Sequence, residues 1–195
     1  MSSEQQAGQE PPSSGVRQAF AQELRDIILT EKEIAGRVRE LARLITQDYQ
    51  GKQPLLVTVL KGGTVFLADL MRQIELPLTV DFIAISSYGS ATDTTGVVRF
   101  LKDLDEPIAG QDVLVVEDII DTGLTLNYLV KNLRSRDPAS LKVCTLLDRP
   151  HRRIADLEMD YLGFEIPDIF VVGYGLDYAG RYRNLPYIAR YPLTL

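Results

Sequence analysis

Cysteine is almost missing from this chain. Cys144 is the only one in 195 residues, so no internal disulfide can form. Its place in an apolar run gives it the character of a small buried hydrophobe rather than a reactive thiol. Histidine is equally scarce: His151, the single one, sits among arginines in LLDRPHRR and reads as a surface residue rather than a catalyst. No apolar run approaches the length a bilayer requires, and the N-terminus shows neither the basic start nor the apolar stretch of a signal peptide. A cytoplasmic protein without a membrane partner is expected. Positive charge is also short. A net charge of −6 argues against electrostatic capture of nucleic acid. A polyanionic ligand would have to be met locally, by backbone amides, a metal or a few placed basic residues.

What the chain does have is the ordinary mix of a soluble globular domain, enough for one sizeable core. Residues 1–15 (MSSEQQAGQEPPSSG) are polar and nearly free of apolar groups, so a disordered tail is expected there and a single folded domain over 16–195. Thr30 and Glu33 form a capping box ahead of Ile34, Val38, Leu41, Ala42 and Ile45, which recur at helical spacing up to about Tyr49, with Gly51 as a stop signal. Short apolar runs then alternate with amphipathic segments. Strands are predicted at 55–60, 80–86, 97–101, 113–116, 141–147 and 169–172, and helices at 64–73 and 123–134. Continuous Val/Ile/Leu strands separated by helices predict an α/β fold: a mostly parallel central sheet flanked by helices, with a small hood from the C-terminal segment and a contribution from the N-terminal one.

The chemistry concentrates in VLVVEDIIDTGLTL, residues 113–126. A buried strand is expected to end in two adjacent carboxylates, Glu117 and Asp118. Beyond it, Asp121, Thr122, Gly123, Leu124 and Thr125 open a helix. Ligands of open parallel sheets gather outside the carboxyl ends of strands. Small residues, hydroxyls and a glycine at a helix N-terminus suit a phosphate, which free amides and the helix dipole favour. Carboxylates beside a phosphate repel it unless they hold something else, and ribose hydroxyls or a hydrated magnesium ion suit hard oxygen acceptors. Each acidic residue also has a structural reading, as a strand end or a helix cap.

This segment resembles the phosphoribosyl-pyrophosphate signature of the type I phosphoribosyltransferases, and its form EDIIDTG is similar to the hypoxanthine-guanine branch. Similarity extends to the Leu60–Gly63 loop, to Ser87–Tyr88 and to GFEIPDIFVVGYGLDY at 163–178, from about residue 26 onward. The resemblance implies purine salvage: hypoxanthine or guanine plus phosphoribosyl pyrophosphate gives IMP or GMP plus pyrophosphate, with Mg2+. It implies that Glu117 and Asp118 hold the ribose hydroxyls directly or through metal, and that residues 121–125 take the 5′-phosphate. It makes Asp121 the acceptor of the base's proton, with an N-cap as the alternative. Lys61, Gly62, Gly63, Ser87, Tyr88 and Arg183 are assigned to pyrophosphate, the polar loop 86–96 with Gly89 and Gly96 being a mobile lid or merely an exposed hairpin. Phe170 stacks on the base unless it is a core residue, the Val171 backbone meets the base edge, and Asp177 serves the base site and, with Glu117 and Asp118, the metal. Family members usually form homodimers or homotetramers.

One departure stands out. Arg149 occupies the position where family members often have a lysine that donates to the exocyclic oxygen of the base, and a planar fork is not equivalent to an ammonium. Base preference among the oxopurines therefore stays open. A same-fold enzyme for xanthine, or a regulatory protein that senses the same donor and binds nucleic acid, is the competing reading; Asp121 argues against adenine and pyrimidine, and the negative charge against the regulator.

Overall fold

The computed structural model describes residues 24, 26–88 and 97–192. The tail assigned to residues 1–15 and the glycines Gly89 and Gly96 lie outside the described residues. The chain begins with β1 (Ile27–Leu29), α1 (Glu31–Asp48), β2 (Leu55–Leu60), α2 (Thr64–Met71) and β3 (Thr79–Tyr88). It continues through β4 (Val97–Lys102), β5 (Asp112–Ile120), α3 (Leu124–Arg134), β6 (Ser140–Asp148), β7 (Tyr161–Glu165), β8 (Val171–Val172) and β9 (Ile188–Arg190).

Six strands form one sheet in the order β4-β3-β2-β5-β6-β7, parallel throughout except for the β3–β4 hairpin at one edge. The alternation of side chains along β2 and β5 builds two cores. Leu56, Leu114 and Val116 face α1 and α2, whereas Leu55, Val57, Val113 and Val115 face α3. Helix α1 is fixed by its capping box: Thr30 Oγ1 accepts from the Glu33 amide at 3.3 Å, and Glu33 Oε2 accepts from the Thr30 amide at 2.8 Å. Its five periodic apolar residues are all buried. Cys144 is buried and free, and burial pushes its thiol up, away from thiolate chemistry. A second sheet, in the order β1-β9-β8, joins the N-terminal strand to the C-terminal segment. No helix among the described residues is long and apolar enough to cross a membrane.

Several boundaries differ from those expected. Strand β5 does not stop at Val116 but runs through Glu117 and Asp118 to Ile120. The reason is its neighbour: β6 continues to Asp148, pairing Glu117 with Thr145, Ile119 with Leu147 and Ile120 with Asp148, although pairing with β2 ends at Thr58–Val116. Ser87 and Tyr88 belong to β3 rather than to a loop, because their backbones pair with Val98 and Val97 across the hairpin. The last strand of the central sheet is β7, not residues 169–172; Val171–Val172 pairs with β9 in the small sheet instead. Helix α2 ends at Met71, two residues short of the expected Gln73.

Strand β7 escaped notice because its middle residue, Gly163, weakens any strand pattern. Its backbone packs so close to β6 that a Cβ at 163 would stand 2.2 Å from the Leu146 carbonyl oxygen. Arg37 of α1 covers this edge, donating to the carbonyls of Leu162 (2.7 Å) and Gly163 (3.0 Å). The two glycines bracketing this contact are expected to respond with opposite signs. Gly163→Ala should lower stability by about 2 kcal/mol or more, since backbone must move to admit the methyl. Gly36→Ala, in the interior of α1 with nothing within 4 Å of the new methyl, should raise it by about 0.5–1 kcal/mol. Urea unfolding of the two variants checks both signs.

Candidate active site

The strand order dictates where a site can form. From β2 the chain moves outward to β3 on one side and then returns to β5 on the other, so the connections leave β2 and β5 in opposite directions. A crevice opens outside the carboxyl ends of such a pair. The turns that follow these two strands are 61–63 and 121–123, the two most suggestive segments of the sequence.

The first turn sits directly on β5. A Cβ at Gly62 would fall 1.8 Å from Asp118 Oδ2, and one at Gly63 would fall 2.2 Å from the buried hydroxyl of Thr58. The Leu60–Lys61 peptide is cis, and the Lys61 side chain is exposed. From the other side, a Cβ at Gly175, whose φ is +98°, would fall 2.2 Å from the Gly62 carbonyl oxygen. Gly62 is thus enclosed between a carboxylate and the small sheet's following turn. Gly175 is a site residue the sequence did not disclose, since nothing but its glycine identity marked it.

Glu117 and Asp118 are successive residues of one strand and so project to opposite faces. Their surroundings agree. Glu117 lines a hollow of about 180 Å³ with Val59, Ile120, Thr122, Gly123 and Thr125, whereas Asp118 lies under Gly62. Burial, followed by the charge of Asp118, holds the Glu117 carboxyl well above the usual carboxylate range. Burial likewise pushes Asp118 up to about 6, opposed by the Ile119 amide and by the charge of Arg183.

Beyond β5, the cap of α3 is Gly123 in the left-handed conformation (φ 75°), with no side-chain cap bond. Asp121 is therefore not the helix cap. The first-turn amides stay open toward the Glu117 hollow, apart from a long 3.4 Å contact of the Leu124 amide with Thr122 Oγ1. The amides of Ile154 and Ala155 donate to the Thr122 carbonyl at 2.9 and 3.1 Å, bracing the loop from the β6–β7 connection. An uncapped, braced helix N-terminus of this size suits a phosphate.

Arg149 follows β6 and is almost wholly buried. Its Nη1 lies 3.7 Å from Asp121 Oδ1 and 3.9 Å from Asp168 Oδ1. Arg152 and Asp168 complete this cluster, and neither was singled out from the sequence, since exposed charges carry no pattern of their own. Phe170, two residues past Asp168, is half-buried, with its ring edge-on to Tyr178 (5.9 Å) and Tyr191 (6.2 Å). Val171 is buried beside it. Asp177 pairs with Arg183 and accepts from the Gly180 amide at 2.7 Å, while Arg183 also donates to the Gly175 carbonyl. Arg183 and Asp177 are both close enough to Asp118 to shift its proton affinity. Ser87 and Tyr88 end β3, the strand beside β2. A larger hollow of about 390 Å³ lies between Arg183, Asp69, Tyr174 and Glu31, away from the strand-end carboxylates.

Among the described residues, no three His, Cys, Asp or Glu side chains gather as a metal cage. The carboxylates suit a hard cation that brings most of its ligands from water and substrate oxygens, as magnesium does.

Comparison with known proteins places the chain in a family. A family model described as phosphoribosyl transferase domain matches residues 25–179, which include every site residue above except Arg183. The chain is 51% identical to the hypoxanthine-guanine phosphoribosyltransferase of Bacillus subtilis, over 85% of this chain and 92% of the relative. It is 52% identical to the enzyme of the same name from Mycobacterium avium, over 85% of each. A crystal structure of a hypoxanthine phosphoribosyltransferase from Staphylococcus aureus superimposes with a TM-score of 0.86 at 47% identity, covering 89% of this chain and 94% of that one. With a family model over most of its length and relatives at about half identity, the chain belongs to the phosphoribosyl transferase family of enzymes.

Proposed function

We propose that the protein transfers the phosphoribosyl group of phosphoribosyl pyrophosphate to hypoxanthine or guanine, forming IMP or GMP and releasing pyrophosphate. The observation that carries this reading is the position of Asp121: a carboxylate between an open helix N-terminus and a buried guanidinium, Arg149. A 5′-phosphate on the α3 amides sets the ribose beside Glu117. A 6-oxopurine then presents N7–H to Asp121 and its exocyclic oxygen to Arg149, a pairing that adenine's amino group cannot reproduce. Phe170 supplies a ring face for stacking, and the Val171 backbone the donor and acceptor for the base edge.

In the reaction, N9 of the base forms a bond to C1 of the ribose as the bond from C1 to pyrophosphate breaks. The N7 proton passes to Asp121, and the electron pair of the broken bond leaves with pyrophosphate. The Lys61–Gly63 turn and Arg183 face that leaving group with amides and a cation, and Ser87 and Tyr88, ending the neighbouring strand, belong to the same subsite. Magnesium bound through Asp118 and Asp177, with Glu117 on the ribose side, would spread the charge developing on pyrophosphate. An acidic protein thus receives a highly anionic donor through dipoles and a metal.

Asp121→Asn keeps the shape and removes the proton acceptor. It should lower kcat by about 10²-fold or more with an unchanged circular dichroism spectrum. Turnover near that of the parent would reject the assignment. Measured across bases, hypoxanthine and guanine should react and adenine should not.

The raised proton affinities of Glu117 and Asp118 also set a pH dependence. A carboxyl whose folded pKa exceeds its unfolded value contributes stability below the unfolded pKa and loses it as pH rises through the folded one. For Asp118 that window runs from about 4 in the unfolded chain to about 6 in the fold. The thermal midpoint of the metal-free protein should therefore fall by several degrees between about pH 5 and pH 8, and less so in Asp118→Asn. Magnesium with phosphoribosyl pyrophosphate should restore it at pH 8, and chelation should abolish turnover. A flat profile in the parent would contradict the burial argument.

A further inference from the structure

The stretch 149–153 carries more positive charge than one donor to the base requires. Two of its arginines close a ring with two aspartates. Arg152 Nε lies 3.2 Å from Asp121 Oδ1, the same oxygen that Arg149 Nη1 approaches at 3.7 Å. On the far side, both arginines approach Asp168 Oδ1, at 3.6 Å for Arg152 and 3.9 Å for Arg149. The Asp121 side chain is 44% exposed, yet its Oδ1 is sealed from solvent and has no aligned hydrogen bond among the described residues. The exposure must then fall on its other atoms, Oδ2 among them. Charge, not a directional bond, turns Oδ1 toward the arginines. Arg149 Nε is likewise buried without a hydrogen-bond partner among the described residues.

The geometry points to Arg152 and Asp168 as positioning residues for Asp121. Arg152 keeps Oδ1 turned inward, so that Oδ2 is the oxygen presented to the purine N7–H. Asp168 takes up part of the guanidinium charge. Without it, both guanidinium groups would be left to the single carboxylate of Asp121 and would draw it away from the base. With it, two positive and two negative groups balance. The inference rests on Asp121 being the proton acceptor. It adds two residues that act on the reaction through the Asp121 carboxylate.

The test uses the full-length enzyme with magnesium, phosphoribosyl pyrophosphate and hypoxanthine. Arg152→Gln should lower kcat about tenfold while KM for phosphoribosyl pyrophosphate stays within about twofold and the thermal midpoint is unchanged. Arg152→Lys, which keeps the charge, should recover most of that loss. Asp168→Asn should also lower kcat. The double variant Arg152→Gln/Asp168→Asn should be no worse than Arg152→Gln alone, because removing one charge of each sign restores the balance. Three results would overturn the proposal: a kcat for Arg152→Gln within about twofold of the parent, a midpoint that falls in step with kcat, or single losses that multiply in the double variant. Asp121→Asn separates the two levels. Full turnover there rejects the proton acceptor itself, whereas loss there with an unaffected Arg152→Gln rejects only the ring.

Discussion

Two carboxylates carried by consecutive residues of a buried strand are costly, and the rest of the molecule is arranged around that cost. Desolvation raises the proton affinity of both Glu117 and Asp118, and the charge of Asp118 raises Glu117 further. A sheet optimised only for stability would carry apolar residues here, as β5 does at Val113–Val116. In the proposed function, ligands that bring hydroxyls or a cation would remove the penalty, which is why the cost would be kept at this place in the sheet.

The two ends of the parallel strands show the contrast. At the amino end, charges are closed into local pairs: Lys52 with Asp112 at 2.8 Å, Lys142 with Asp48 at 3.0 Å, and the Tyr161 hydroxyl donating to Asp48 at 2.6 Å. At the carboxyl end, Arg149 Nε and Asp121 Oδ1 are buried without hydrogen bonds among the described residues, and the cap of α3 is a glycine with no side-chain bond. Polar groups left open are expensive in a low-dielectric setting, and they persist where a ligand will complete them. Rigid support comes from β6. Its ladder with β5 continues past the end of the β2–β5 pairing, holding Glu117 and Asp118 in extended backbone rather than in a loose turn.

Much of this was legible in the residues. The capping box of α1, the apolar face of α3 and the β2 run at 55–60 each follow local rules of spacing and propensity, and they appear where those rules put them. The helix start after 121–123 was recognisable because small residues, hydroxyls and a glycine gather there. Other features depend on partners distant in the chain. β5 lengthens only because β6 lies beside it. β7 contains a glycine that makes sense only against Leu146. β8 leaves the central sheet because β9 offers it a partner almost twenty residues later.

The order of residues alone therefore determined the helices and the inner strands of the sheet, and it marked the strand end and helix start on which the proposed function rests, because these are properties of short windows. Tertiary structure decided which neighbours those groups meet. Glu117 and Asp118 part to opposite faces, Gly62 lies between Asp118 and Gly175, and Arg152 with Asp168 comes to flank Asp121. Such distances arise only when strands far apart in the chain are laid side by side, and no local pattern encodes them.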